Sequence, residues 1–147
     1  MQVNTVKLCP WRIPRQFIQT WMEDLASELK KRKLLPKGIQ EITLVFVSSE
    51  KIQELNQQFR AKSKPTDILS FEGAEVGEWG ELVLCGEVLD QQAIDHSLSR
   101  NQELGYMLIH GALHLLGYDH EKSTLKAKEM FALQDEIFAK LDKKHFS

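Results

Sequence analysis

Apolar side chains recur at two different spacings along this chain, and the spacings separate predicted helices from predicted strands. Over residues 15–33 they fall three or four positions apart with charged residues between them, which predicts an amphipathic helix. Residues 42–47 form a β-branched and aromatic run that is typical of a buried strand. Ser48 and Ser49 then offer N-caps for a second helix, which we expect to end near Arg60.

The helix predicted at residues 101–116 is apolar on nearly all sides, which indicates a central buried helix that Gly117 ends. The order of elements predicts one α+β domain over residues 1–147, with a small mixed β-sheet covered by helices. The other predicted elements are an edge strand at 1–8, a strand at 66–71, an acidic hairpin loop at 72–81, a strand at 82–90, and helices at 91–99 and 123–141.

Composition narrows the class of protein without naming a function. A hydrophobic fraction of 42% and a charged fraction of 27% suit a soluble globular domain. The net charge of -2 excludes a global positive field, so nucleic acid would have to bind at a local patch, and no DNA partner is expected. We expect a cytoplasmic protein without a membrane segment, because no signal peptide or long apolar stretch is present. Cys9 and Cys85 are expected to be reduced thiols.

Candidate chemistry is concentrated in residues 110–120, which contain three of the five histidines. His110 and His114 are four positions apart and therefore share one face of the buried helix. Gly117 allows the chain to turn back and bring His120 to the same place. Three imidazoles with one position left open form the usual site of a catalytic zinc, so we predict one zinc or another divalent ion here. The alternative, three histidines that only help to pack the helix, would leave polar rings in apolar surroundings.

The histidine spacing equals that of the metzincin peptidases, with one difference. Those enzymes carry a glutamate directly after the first histidine as the general base, whereas this chain has Gly111. Glycine cannot accept a proton, so peptide hydrolysis by that route is disfavoured. A glycine inside a helix is also costly, and we expect Gly111 to permit a close approach of backbone or substrate. A zinc metallopeptidase or another zinc hydrolase stays open as an alternative.

The segment His-Gly-Ala-Leu-His-Leu-Leu-Gly-Tyr-Asp-His at 110–120 resembles the signature of the YbeY family, the bacterial and organellar rRNA maturation endoribonucleases. The resemblance covers most of the chain. Two positions depart from the family pattern. Glu87 stands where the family usually has an aspartate, and Glu72 stands where a proline often follows the Ser-Phe pair. The further matching blocks, in family order, are Leu55-Asn56, Arg60, residues 65–71 (Pro-Thr-Asp-Ile-Leu-Ser-Phe) and Gly86-Glu87-Val88, which resembles a Gly-Asp-Ile strand.

The resemblance implies a single-strand-specific, metal-dependent endoribonuclease of rRNA processing, notably of the small-subunit rRNA 3′ end, and of ribosome quality control. The implied partners are single-stranded rRNA and the small ribosomal subunit. Arg60 matches the functional arginine of the family, and an arginine suits the charge that develops on phosphorus. Lys62 and Lys64 could bind the phosphate backbone, or could belong to an ordinary solvated loop.

Two questions stay open at the level of sequence. The general base could be Asp119, Asp67 or Glu87, or no protein base could be needed, and Asp119 could instead orient a ligand imidazole. A non-catalytic ribosome assembly factor with a structural metal is the second alternative to the nuclease.

Overall fold

The computed structural model describes residues 1–60 and 68–146, without the side chain of Arg60. Strands and helices alternate over the first half of this part of the chain, and only helices follow β4. In chain order the elements are β1 (Gln2–Lys7), α1 (Arg15–Lys31), β2 (Glu41–Val47), α2 (Ser49–Arg60), β3 (Ile68–Glu72), β4 (Glu78–Cys85), α3 (Gly86–Asp95), α4 (Arg100–Leu115) and α5 (Thr124–Phe146).

The four described strands form one mixed sheet in the order β1-β2-β4-β3. β1 pairs with β2 in parallel, β2 pairs with β4 in parallel, and β3 runs antiparallel to β4. The prediction of an α+β fold with a small mixed sheet covered by helices is therefore confirmed. None of the described helices is long and apolar enough to cross a bilayer.

The two faces of the sheet carry different layers. Leu82 and Leu84 of β4 join the large core beneath α1, α4 and α5, whereas Val83 and Cys85 point the other way into a smaller cluster with Ile52 of α2. This alternation follows from the period of two residues in a strand. The helix α4, which carries His110 and His114, lies on the large-core face and is the central buried helix that its composition predicts, since almost every residue from 103 to 113 is buried.

Several predicted elements are confirmed within a few residues. α1, β2, α2 and α4 lie where the apolar spacing places them. Ser48 caps α2 as expected, because its hydroxyl accepts a hydrogen bond from the backbone N–H of Lys51 at 3.2 Å. The last helix runs to Phe146, five residues beyond its predicted end.

The predicted strand at 82–90 and the helix at 91–99 are wrong at their boundary, since β4 ends at Cys85 and Gly86–Asp95 is helical. Glu87 accordingly lies in the first turn of a helix and not in a strand. The acidic loop is also shorter than predicted, because β3 extends to Glu72 and β4 begins at Glu78.

Strand pairing explains why β4 stops at Cys85. Val47, the last residue of β2, pairs with Cys85, and the chain after β2 then leaves the sheet for α2 at Ser49. A strand continued past this point would have no partner in β2 for its backbone N–H and C=O groups. The chain therefore turns into helix at Gly86, where local apolar alternation alone predicts more strand.

Trp11 makes glycine necessary at that turn. A Cβ on Gly86 would lie 2.1 to 2.3 Å from three atoms of the indole ring. The ring cannot easily move away, because it stacks on Phe46 with 5.3 Å between centroids, donates a hydrogen bond to Asp90 at 3.0 Å, and lies 4.0 Å from the guanidinium of Arg100.

We expect Gly86→Ala to lower the free energy of unfolding by about 1–3 kcal/mol, because the added methyl overlaps a fixed aromatic ring. Urea denaturation followed by circular dichroism measures this. Gln91→Ala, an exposed position in the same helix, is the control and should change stability by no more than about 0.5 kcal/mol. Equal stabilities of Gly86→Ala and wild type would contradict the packing argument.

Candidate metal centre

His110 and His114 project from the same face of α4, one turn apart. Their Nε2 atoms are 3.1 Å from each other, and their ring centroids are separated by 4.6 Å. His110 is 8% exposed, while His114 is half-buried at the end of the helix. The helical spacing of the two residues thus places two imidazole nitrogens at one point.

The end of α4 brings the third histidine to the same point. Gly117 has a φ of +98°, a left-handed conformation that glycine adopts without strain, and its N–H donates to the carbonyl oxygen of His114 at 3.0 Å. The reversed chain places the ring of His120 with its centroid 5.0 Å from that of His110 and 5.1 Å from that of His114. Ligand atoms of all three residues lie within 4.8 Å of one another.

Hydrogen bonds on the far side of two rings fix their tautomers. Gln134 of α5 donates from Nε2 to the carbonyl oxygen of Tyr106 at 3.5 Å, which leaves its Oε1 to accept from His110 Nδ1 at 2.9 Å. The Nδ1 of His114 donates to the carbonyl oxygen of Tyr118 at 3.0 Å. With the proton of each ring on Nδ1, both Nε2 atoms carry a lone pair.

This arrangement fits a divalent ion. Two nitrogen lone pairs that face each other at 3.1 Å cannot hydrogen-bond between neutral rings, so they need a cation between them. Nitrogen ligands about 2.0–2.1 Å from a tetrahedral zinc lie about 3.3 Å apart, close to the observed separation. In addition, Nδ1 of His120 is buried without a hydrogen-bond partner in the described part of the chain. Three imidazoles without a thiolate suit zinc and neighbouring transition metals.

The pKa of His114 supports the same conclusion. Burial, followed by the nearby His110 and His120 rings, lowers this pKa from the ordinary 6.5 to about 4. The ring is therefore neutral at physiological pH and has a lone pair available, as a metal ligand requires.

The histidines open onto a cleft of about 400 Å³, a size that suits a small ligand or one residue of a polymer. Its lining combines the imidazoles with apolar side chains. The lining residues are Phe59 of α2, Ile68, Leu69, Ser70 and Phe71 of β3, His110, Gly111 and His114 of α4, and Asp119, His120 and Glu121 of the turn that follows.

Of the three carboxylates that the sequence offers as a general base, Asp119 is the one that the described residues place at the cleft. Its Oδ1 accepts the backbone N–H of Glu121 at 2.7 Å, and this bond lowers the pKa of the carboxyl. Asp119 is thus ionised and holds the turn that carries His120. Glu87 is exposed on α3 and does not line the cleft, and Asp67 lies outside the described residues.

Gly111 permits the close approach of α4 to the sheet, the first of the two roles expected for it. A Cβ at this position would lie 2.7 Å from Cδ1 of Ile68 and 2.9 Å from both terminal methyls of Leu82. A glutamate here, as in the metzincins, would have to displace both side chains. Packing therefore favours glycine at this position, and glycine has no group that could act as the general base of that peptidase mechanism.

The remaining predicted site residues are Arg60, Lys62 and Lys64. Arg60 is the last residue of α2, directly after Phe59, which lines the cleft. The side chain of Arg60, and Lys62 and Lys64 entirely, lie outside the described residues.

Two residues of α5 contact the histidines and were missed by the sequence reasoning. Gln134 is fully buried, and Phe131 lies with its ring centroid 6.0 Å from that of His110 and 5.5 Å from that of His120. A signal for Gln134 exists in the sequence. It interrupts an apolar stripe that Met130 and Ile137 continue on either side, and a polar residue in such a stripe needs a polar partner.

Comparisons with known proteins agree with this geometry. A family profile described as Endoribonuclease YbeY matches residues 7–142. An "Endoribonuclease YbeY" of Bdellovibrio bacteriovorus is 50% identical over 146 residues, which cover 98% of this chain and 97% of the relative. An "Endoribonuclease YbeY" of Lactobacillus gasseri is 37% identical over 133 residues, which cover 80% of this chain and 75% of the relative. A solution structure from Thermotoga maritima matches with a TM-score of 0.65 at 30% identity, covering 97% and 91% of the two chains.

Replacing Gln134 with methionine should weaken zinc binding by about 10–100-fold, because His110 loses the acceptor that orients it while the buried volume is kept. Competition with a chromophoric chelator measures the affinity. Met130→Leu, which alters the same buried stripe without touching a polar contact, should bind zinc as wild type does. A Gln134→Met protein with unchanged affinity would show that this hydrogen bond does not support the site.

In the metal-free protein, the His114 ring should titrate near pH 4. The unfolded chain binds this proton near pH 6.5 and the folded chain only near pH 4, so lowering the pH between these values should favour unfolding. An NMR titration of the imidazole resonances tests the first point, and denaturant unfolding at pH 7 and pH 5 tests the second. A midpoint at or above 6.5 for His114 would contradict the described burial.

Proposed function

The chain belongs to the YbeY endoribonuclease family, and we propose that it is a single-strand-specific, metal-dependent endoribonuclease of rRNA processing. The specific roles proposed are maturation of the small-subunit rRNA 3′ end and ribosome quality control. The observation that carries the proposal is the group of three histidines that converge at an open cleft. Such an open site is characteristic of catalytic metals, whereas structural zinc is usually closed by four ligands.

We propose that His110, His114 and His120 hold one zinc ion. A divalent ion held by these residues would supply Lewis-acid chemistry toward a phosphoryl oxygen and toward water. The protein supplies the rest: Gln134 and the carbonyl oxygen of Tyr118 hold two imidazoles in the tautomer that presents Nε2 to the cleft.

Arg60 is the proposed catalytic residue besides the metal ligands. Its place in the chain, one residue after Phe59 at the cleft wall, is suited to contact a phosphodiester bound at the histidines. A guanidinium there would stabilise the negative charge that grows on the phosphoryl oxygens in the transition state. Lys62 and Lys64, which follow in sequence, are proposed to bind the RNA backbone and to supply local positive charge to a chain of net charge -2.

The proposed partners follow from the proposed substrate. If single-stranded rRNA is cleaved during ribosome assembly, the protein acts at the small ribosomal subunit in the cytoplasm. The two alternatives have less support. Gly111 has no carboxylate to act as a base, which disfavours a peptidase of the metzincin type, and a cleft that opens beside the histidines disfavours a metal with a purely structural role.

His114→Ala should abolish both zinc binding and cleavage of single-stranded RNA, while circular dichroism shows a folded protein. His96→Gln is the matched control, because His96 lies outside the site and glutamine can still donate to Glu103. Arg60→Ala should keep zinc but lose about 10²–10³-fold in kcat. The substrates are defined single- and double-stranded RNAs, with a peptide panel in parallel.

Three results would overturn this proposal. A folded His114→Ala protein that binds zinc and cuts RNA like wild type would remove the site from the mechanism. Chelator-sensitive cleavage of peptides but not of RNA would favour the peptidase. Unfolding of the wild-type protein on chelation, without any cleavage when zinc is present, would favour the assembly factor with a structural metal.

A further inference from the structure

Phe59 is an aromatic side chain that the fold leaves in solvent. It lies in the last turn of α2 and is 57% exposed, although Ile52 on the same helix is fully buried. Its ring nevertheless packs against another aromatic ring. It meets the ring of Phe71 on β3 edge to face, with 5.1 Å between centroids and 76° between planes. The contact holds the ring in place while leaving much of its surface accessible.

The position of Phe59 relates the ring to the metal cleft. Phe59 and Phe71 line the cleft of the three histidines, and both also line a second cleft of about 470 Å³. The pair Phe59 and Phe71 therefore lies at the boundary between two neighbouring clefts. A polymer that crosses from one cleft to the other must pass over it.

The two clefts differ in what they can hold. The first offers three imidazole nitrogens, which with an ion would attract a phosphate. The second is lined by Leu55 and Val83 together with the carboxylates of Glu72, Glu78 and Glu81. Those carboxylates repel phosphate, whereas the apolar surface and the exposed ring can accept the face of a base.

We propose that Phe59, backed by Phe71, is a stacking platform for the nucleobase next to the scissile phosphate of a single-stranded RNA. This inference rests on the proposed nuclease function and adds a binding residue to it. A base can stack on Phe59 only when it is not paired and stacked within a duplex. The platform therefore gives a physical reason why a metal site of this kind would select single strands.

Steady-state kinetics on a short single-stranded RNA test the platform with Phe59→Ala, Phe59→Leu and Phe59→Trp. Phe59→Ala should raise KM about 5–100-fold with little change in kcat, because a stacked base is bound equally in ground state and transition state. Phe59→Leu keeps an apolar contact to Phe71 but has no ring, and should resemble alanine. Phe59→Trp should restore a KM near that of wild type. Ile94→Ala, another exposed apolar residue (73%) away from both clefts, is the control and should leave KM unchanged.

A second substrate series separates stacking from a general effect of the substitution. An abasic nucleotide is moved one position at a time along the RNA. With wild type, an abasic nucleotide at one position beside the cleavage site should raise KM strongly. With Phe59→Ala, the same abasic substrate should cause no further rise in KM. Phe59→Leu kinetics equal to wild type, or an abasic penalty that is the same in both proteins, would overturn the platform while the nuclease function stands. Absence of RNA cleavage by zinc-loaded wild type would instead overturn the proposed function and the platform with it.

Discussion

The site depends on the placement of two imidazole rings on the buried helix α4. α4 is enclosed by the sheet and by other helices, and an unpaired polar ring in such a position would be costly. Each ring has a hydrogen-bond acceptor for one of its nitrogens: Gln134 for His110, and the carbonyl oxygen of Tyr118 for His114. The other nitrogens of the two rings then converge. The hydrogen bonds that satisfy these buried rings therefore also orient the site.

Close packing around α4 fixes the helix that carries these rings. Gly105 allows the indole of Trp21 to lie against the helix and donate to its backbone at 3.0 Å, and Gly111 allows the sheet to approach from the other side. A helix held on two sides has little freedom to rotate. The histidines therefore keep their direction toward the cleft, which is what a preorganised metal site requires.

Much of this arrangement could be predicted because it depends on local sequence. The spacing of His110 and His114 on an apolar helix, with Gly117 at its end, is sufficient to predict that three imidazoles meet. What could not be predicted depends on residues far apart in sequence. The turn to helix at Gly86 is set by the end of strand pairing and by a tryptophan 75 positions earlier, and Gln134 reaches His110 from another helix. The exposure of Phe59 likewise depends on where Phe71 of β3 lies beside the end of α2, which no local pattern encodes.

The central claim, an open zinc site made of three histidines, is tested most directly by X-ray absorption at the zinc edge of the metal-loaded protein. The account predicts three imidazole nitrogens at about 2.0–2.1 Å and one or two further light-atom ligands from water. Cys9 and Cys85 are both free thiols outside the histidine group. A sulfur ligand at about 2.3 Å, or fewer than three imidazoles, would contradict the account.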